Sequence, residues 1–391
     1  MSLTDDLLKQ PPYRTTRDRN KDLLRAAVGE AILHHCTHCE AFARWYRKRG
    51  GDPGAPIDDL ARLPFLPVTV FKRLGLESVG SGQVVRMLKS SATSSQTPSS
   101  VALDAVTRGR QMRVLAALMG ALIGPARRPF VVLDAAAPEG SGVELPARVA
   151  GMRGYLMMAS ETRYVLESGA QGPALNVDDL RGALADLVAR REPICLLGYT
   201  HILYRNVVAP LLERGLRLEL PPESFILHFG GWKRLERQAV GRARFNADVA
   251  RVFSANPRHI RDIYGFTEQL GVVYPDDGRG VRLAPACAEV FVRDPFTLDP
   301  APDGTPGLLQ FITPLPHSYP GISILMDDIG RIVSRDQEVD GRYGTRFETL
   351  GRAKGAPIRG CGDTLPETAC EGAPNRGCGD PQPETAYRAG V

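Results

Sequence analysis

The chain has 391 residues, 43% of them apolar, and a formal net charge of +5 spread over mixed acidic and basic positions. That length buries a large core and predicts one large domain with smaller attachments. The scattered charge suits anionic ligands such as nucleotides, and the absence of a basic run or arm argues against a nucleic-acid track.

No apolar run approaches the ~20 residues that a membrane helix needs. The opening MSLTDDLLKQ lacks the charged start and apolar core of a secretory signal. Seven cysteines, an odd number, argue against a disulfide framework and for a reduced, cytoplasmic protein.

The first predicted element is an amphipathic helix over 18–49. Leu24, Val28, Ala31, Ile32, His35, Cys39, Phe42 and Tyr46 recur at helical spacing, and Gly50-Gly51 stop it. Within it, His34/His38 and His35/Cys39 are i,i+4 pairs about 100° apart, which favours helix packing over a converging metal site. A proline-rich connector carries Leu-Pro-Phe-Leu-Pro-Val at 63–68. The run Leu115–Ile123 reads as a core helix or the lining of an acyl tunnel.

Strands are expected at Phe130–Leu133, Ile194–Leu197 and Phe225–Phe229, with a helix over Asp178–Arg191 that turns Leu180, Leu184, Leu187 and Val188 to one face. This alternation predicts sheets flanked by helices. From about residue 288 the texture changes to hairpins. Glu289–Val292, Leu308–Ile312, Ile322–Met326 and Arg331–Val333 are separated by Gly/Pro/Asp turns and predict a small antiparallel subdomain.

The expected domains are a helical segment at 1–75, a core at 76–350 and a flexible tail at 351–391. The tail holds a duplication. The segment at 355–369 returns at 372–386, changed only at Ile358/Asn375, Thr364/Pro381 and Leu365/Gln382. Two polar copies are too few for a solenoid, so a local duplication is the simpler reading.

Several short stretches offer chemistry. The hydroxyl-rich loop Lys89–Gln96, with Ser91 and Thr93, reads as a phosphate cradle or a plain polar loop, and it lacks glycine. Gly230-Gly231 follow a buried strand, either as a tight turn or so that backbone can approach a flat ring where α/β sheets place ligands. Tyr264-Gly265-Phe266-Thr267-Glu268 brings a ring, a hydroxyl and a carboxylate to a strand end. Tyr264 can stack on a purine, Thr267 can contact a phosphate and Glu268 can hold Mg²⁺. Asp328 is expected in a turn between two strands, as a ribose ligand or an ordinary turn aspartate. His228 reads as a substrate contact or a satisfied core histidine.

Taken in order, SSATSS, GGWK, YGFTE, DDIG and GRAK resemble the adenylate-forming superfamily of acyl-CoA synthetases and related ligases. The stretch DPFTLDPAPDGTPGLL at 294–309 resembles the segment before its ribose-binding aspartate. More closely, the chain resembles the acyl-protein synthetases (long-chain-fatty-acid–luciferin-component ligases) of bacterial luminescence fatty-acid reductase systems. The matching stretches are HHCTHCEAF at 34–42, LPVTVFK at 66–72, FGGWKRLE at 229–236, IRDIYGFTE at 260–268, PDGTPGLL at 302–309, SYPG at 318–321 and MDDIG at 326–330, with the glycine-flanked Cys361 after them.

The resemblance implies an α/β adenylate-forming fold like that superfamily's N-terminal domain, with its C-terminal lid absent or truncated. It implies a ligase that uses ATP and Mg²⁺ to turn a long-chain fatty acid into acyl-AMP. The acyl group then passes to a cysteine and on to a reductase partner. By the same resemblance Cys361 carries the acyl group, and Gly230, Gly231 and Tyr264 hold adenine. Ser91, Thr93 and Thr267 contact phosphate, Asp328 takes the ribose, Glu268 binds Mg²⁺, and Arg352 of the GRAK stretch contacts the nucleotide. Lys233 and Lys89 are candidates for the cation at the leaving pyrophosphate. Arg352, Lys354 and Arg359 stand near Cys361 in sequence, and Asp363 opposes them. Cys378 reads as a passive copy. Two rivals stay open: a ligase that delivers acyl to coenzyme A or a carrier protein, and a non-catalytic scaffold that keeps the fold.

Overall fold

The computed structural model describes residues 2–353 except 19, 91–98, 137–143, 170–171, 233–234 and 236–237. The expectations for Ser91, Thr93, Lys233, Lys354, Cys361 and Cys378 therefore lie outside the described residues.

The chain begins with helices α1 (Leu3–Leu7), α2 (Lys21–His38) and α3 (Glu40–Lys48), then the short strand β1 (Leu66–Pro67) and helix α4 (Val70–Arg73). The hairpin β2 (Val84–Lys89) and β3 (Ser100–Asp104) leads into helix α5 (Ala105–Ile123). Next come β4 (Arg128–Leu133), β5 (Glu144–Pro146), α6 (Ala147–Leu156), β6 (Ala159–Tyr164) and the pair β7 (Leu166–Gly169) and β8 (Gly172–Leu175). Helix α7 (Val177–Ala189), strand β9 (Cys195–Tyr199) and helix α8 (Thr200–Ile202) follow, continuing through a π-helical stretch at Leu203–Val208 into α9 (Ala209–Glu213). Strand β10 (Phe225–Phe229), helix α10 (Arg242–Phe253) and strands β11 (Ile260–Tyr264) and β12 (Tyr274–Pro275) complete the α/β part. The remaining strands are β13 (Val281–Leu283), β14 (Glu289–Arg293), β15 (Gly307–Ile312), β16 (Ser323–Ser334) and β17 (Arg346–Arg352).

Two sheets carry the architecture. The first runs β12-β11-β10-β9-β4-β6 and is parallel except at its β12 edge. Its inner strands are apolar runs with no polar alternation, as strands covered on both faces must be. Every residue of β9 is buried. Helix α7 lies in this α/β part and buries Leu180, Leu184 and Leu187, each contributing about 2 kcal/mol. The second sheet runs β13-β17-β16-β15-β14 in antiparallel order, with β1 added in parallel alongside β16. In the connection from β14 to β15 the Asp294 carboxylate accepts from Phe296 N and Thr297 N, and Gly304 takes positive φ (84°). Leu115, Leu118, Met119 and Ile123 are buried in α5. Among the described residues no helix is long and apolar enough to cross a membrane.

Two expectations are corrected. The single helix over 18–49 is two helices, because Cys39 adopts an extended backbone (φ −128°, ψ 94°) with its N–H on His35 O. The apolar rhythm runs unbroken through this joint because Cys39 is itself buried. The proposed strands 322–326 and 331–333 are one strand, β16, so Asp328 lies inside a strand and not in a turn. Its pairing to β17 shifts register between Ile329 and Gly330. A Cβ at Gly330 would lie 2.5 Å from Glu348 O, so this glycine permits close approach and the strand continues.

The histidines of α2 hold its packing. His35 is fully buried, with Nε2 donating to Pro316 O (3.2 Å) and Nδ1 accepting from the Ser78 hydroxyl (2.7 Å). His34 reaches His317 O at 2.9 Å and stacks on the His317 ring at 4.2 Å.

Candidate nucleotide site at the junction of two sheets

Strands β10 and β11 run in parallel with Phe229 opposite Ile263. The next residues out, Gly230 and Tyr264, therefore stand side by side at the sheet's carboxyl edge, where open α/β sheets bind ligands. Gly230 and Gly231 both take positive φ (86° and 64°), a conformation that glycine adopts without strain. A Cβ built at Gly231 would meet nothing within 4 Å, so this backbone borders open space.

Tyr264 reaches across to the second sheet. Its hydroxyl donates to Asp328 Oδ2 at 2.8 Å. Arg352, at the end of β17, pairs with Asp328 in register, its Nε 3.4 Å from Asp328 Oδ1. Arg352 also lies 3.7 Å from Asp327 through Nη2. The Tyr264 ring stacks on Phe311 with centroids 5.5 Å apart. Burial, reinforced by the Asp328 carboxylate, pushes the Tyr264 phenol well above its usual value, so the hydroxyl stays a proton donor.

Thr267 and Glu268 sit in a short 3₁₀ turn after this strand, each about one-twentieth exposed. The turn is held from below. Tyr319 donates its hydroxyl to Glu268 O at 2.9 Å, and Gln269 Nε2 donates to Gly321 O at 2.8 Å. Gly321 is required there, since a Cβ would lie 2.6 Å from the Tyr319 ring and 2.9 Å from Glu268 O.

Of the residues expected at the site, Tyr264, Asp328 and Arg352 touch directly, with Gly230 and Gly231 beside them at the same strand ends. Thr267 and Glu268 follow within the same loop. His228 faces inward: it is buried, with Nδ1 3.0 Å from the Thr200 hydroxyl and 3.7 Å from Asp262. Burial holds its imidazole below the usual value, so it is neutral.

The structure adds groups that sequence reasoning passed over. Asp262 and Arg282 form an ion pair at 2.6 Å beneath Tyr264. Burial pushes the Asp262 carboxyl up, but the Arg282 and Arg242 guanidinium groups outweigh it and hold the group below the usual carboxylate range. Asp262 stands within IRDIYGFTE, whereas nothing in its own neighbourhood marks Arg282. Gly321 was visible as the last residue of SYPG.

A family profile described as acyl-protein synthetase, LuxE, matches residues 1–369. The long-chain-fatty-acid–luciferin-component ligase of Vibrio harveyi is 25% identical over 359 residues, 91% of each chain. The protein of the same description from Aliivibrio fischeri is 27% identical over 210 residues, 53% of this chain and 54% of that one. Among solved structures, 2-hydroxyisobutyryl-CoA ligase in an open conformation with 2-HIB-AMP and CoA aligns with a TM-score of 0.60 at 14% identity. The alignment covers 84% of this chain and 74% of that one. Its postadenylation state with 2-HIB-AMP gives 0.61 at 14% identity over 88% and 70%. That likeness gives the adenylate-forming ligase fold, and the profile match spans nearly all of the sequence. The chain belongs to the acyl-protein synthetase, LuxE, family.

Proposed function

We propose that this protein activates a long-chain fatty acid with ATP and Mg²⁺, then takes the acyl group onto the Cys361 thiol for delivery to a fatty-acid reductase. The observation that carries this reading is that Asp328 meets both Tyr264 and Arg352 beside Gly231, whose backbone borders open space. The luciferin-component ligases named above support the substrate class. The ligand named for the structural relative, 2-HIB-AMP, is an acyl-adenylate.

In the first step a fatty carboxylate oxygen attacks the α-phosphorus of ATP, and the bond to the leaving pyrophosphate breaks. In the second, the Cys361 thiolate attacks the acyl carbon and AMP leaves with the carboxyl oxygen it had gained. Gly230 and Gly231 leave room for adenine to approach the backbone, with the Tyr264 ring alongside. Asp328, which accepts from the Tyr264 hydroxyl and faces the Arg352 guanidinium, takes the ribose hydroxyls. Thr267, Ser91 and Thr93 contact phosphate, and Lys233 and Arg352 offset its charge. Glu268 would supply a hard oxygen donor of the kind that suits Mg²⁺. When bound, that ion neutralises charge on the phosphates.

The test is incubation with labelled fatty acid, ATP and Mg²⁺, followed by gel separation and hydroxylamine. The label on the protein is expected to be hydroxylamine-labile, lost in Cys361→Ser and kept in Cys378→Ser. ATP–pyrophosphate exchange with no label on the protein would instead mean that acyl goes to coenzyme A or a carrier. Absence of ATP binding by calorimetry would leave a non-catalytic scaffold.

A further inference from the structure

One guanidinium joins the two halves of the nucleotide site. Arg282 belongs to β13 in the second sheet, where it pairs with Phe347 of β17, the strand that ends in Arg352. Its side chain is 1% exposed, and its bonds cross to the first sheet. Nη1 donates to Asp262 O at 2.6 Å and to Tyr274 O at 2.8 Å. Nη2 donates to Asp262 Oδ2 at 2.6 Å, with Thr349 Oγ1 of β17 more distant at 3.4 Å.

These acceptors bracket Tyr264. Asp262 is two residues earlier on the same strand, so it shares a face with Tyr264. Tyr274 is the residue paired with Tyr264 across β11 and β12. The guanidinium carbon itself lies 5.8 Å from the centre of the Tyr264 ring. Past Ile263, its last pairing with β10, the end of β11 is flanked by β12, two residues long, and such a short strand would leave the backbone under this ring some freedom to shift. The planar fork removes that freedom, because its geometry fixes two carbonyls and a carboxylate at once.

We propose that Arg282 is a positioning residue for nucleotide binding: through Asp262 and the carbonyl of Tyr274 it fixes the Tyr264 ring, and thereby the Asp328 carboxylate, where the nucleotide needs them. This rests on the adenylation reading above. Arg282 is 1% exposed, so it acts through Asp262 and Tyr274 rather than by direct contact with ligand. A buried ion pair is also a poor device for stability alone, since apolar replacements of similar size do as well.

The test is ATP–pyrophosphate exchange at saturating fatty acid, with thermal melting alongside. Arg282→Lys keeps the charge and loses the fork. The expected result is an ATP KM raised about tenfold, below the ~100-fold that a 1 Å error at reacting groups costs, with fatty-acid KM unchanged. If that variant fails to fold, the double variant Arg282→Met/Asp262→Asn strands no charge and is expected to show the same rise in ATP KM. A folded variant of either kind with wild-type ATP KM overturns the proposal, as does a loss confined to kcat. Calorimetry separates the two levels. Wild-type protein that binds no ATP overturns the adenylation reading and this inference with it. ATP binding that is equally tight in wild type and variants overturns this inference alone.

Discussion

Tyr264→Phe removes a single oxygen and leaves the ring against Phe311 and its aromatic neighbours. The loss is one hydrogen bond of 2.8 Å to a carboxylate. Bonds to charged partners contribute about 1.5–3 kcal/mol net. Asp328 keeps Arg352 at 3.4 Å, and its side chain is 19% exposed, so water replaces part of what is lost. The lower end of that range, about 1.5 kcal/mol, is therefore expected, seen as a fall of about 2 °C in melting temperature. A second effect falls on the nucleotide. If Asp328 takes the ribose as proposed, its carboxylate then has to be ordered on binding, and ordering one side chain costs about 0.5–1.5 kcal/mol. ATP KM in pyrophosphate exchange should rise about two- to tenfold with kcat nearly unchanged. An unaltered melting temperature would refute the hydrogen bond as a contributor. An unchanged ATP KM with a large fall in kcat would refute its role in pinning the aspartate.

Gly321→Ala should force Tyr319 and the Glu268 carbonyl apart, costing about 1–3 kcal/mol by overpacking. It should also raise the Mg²⁺ concentration for half-maximal exchange; wild-type melting and Mg²⁺ dependence together would contradict the packing argument. Burial pushes the His35 imidazole down to about 3 from 6.5. The unfolded chain therefore binds this proton first. Its stabilising contribution is full above pH 6.5 and shrinks as pH falls toward 3, by at most about 1.4 kcal/mol per pH unit. Melting temperatures measured from pH 7 to 5 should decline less steeply in His35→Gln, and an equal slope would argue against a neutral buried ring.

Much of this site could be read from the chain because its parts sit at strand ends with marked local chemistry. Phe225–Phe229 is a strand over the residues predicted, and Gly230-Gly231 leave it with positive φ. What escaped the sequence depended on long-range geometry. Asp327-Asp328 followed by a glycine carries the local signature of a turn, yet Gly330 serves a close approach to Glu348 and the strand runs on. The joint at Cys39 hides behind a hydrophobic rhythm that both flanking helices share. Arg282 carries no local mark because its partners come from strands β11, β12 and β17. Only the packing of two sheets turns a basic residue of the three-residue strand β13 into a buried fork.

Strand β1 has a consequence for how the molecule comes together. Leu66 meets Ile324 and Pro67 meets Leu325, on the very strand that holds Asp328. A ribosome has to release almost everything described here before that early dipeptide finds its berth. Closing so large a loop is slow relative to forming local helices. Docking of β1 thus waits on the strand that holds Asp328, while the local helices before it can form earlier.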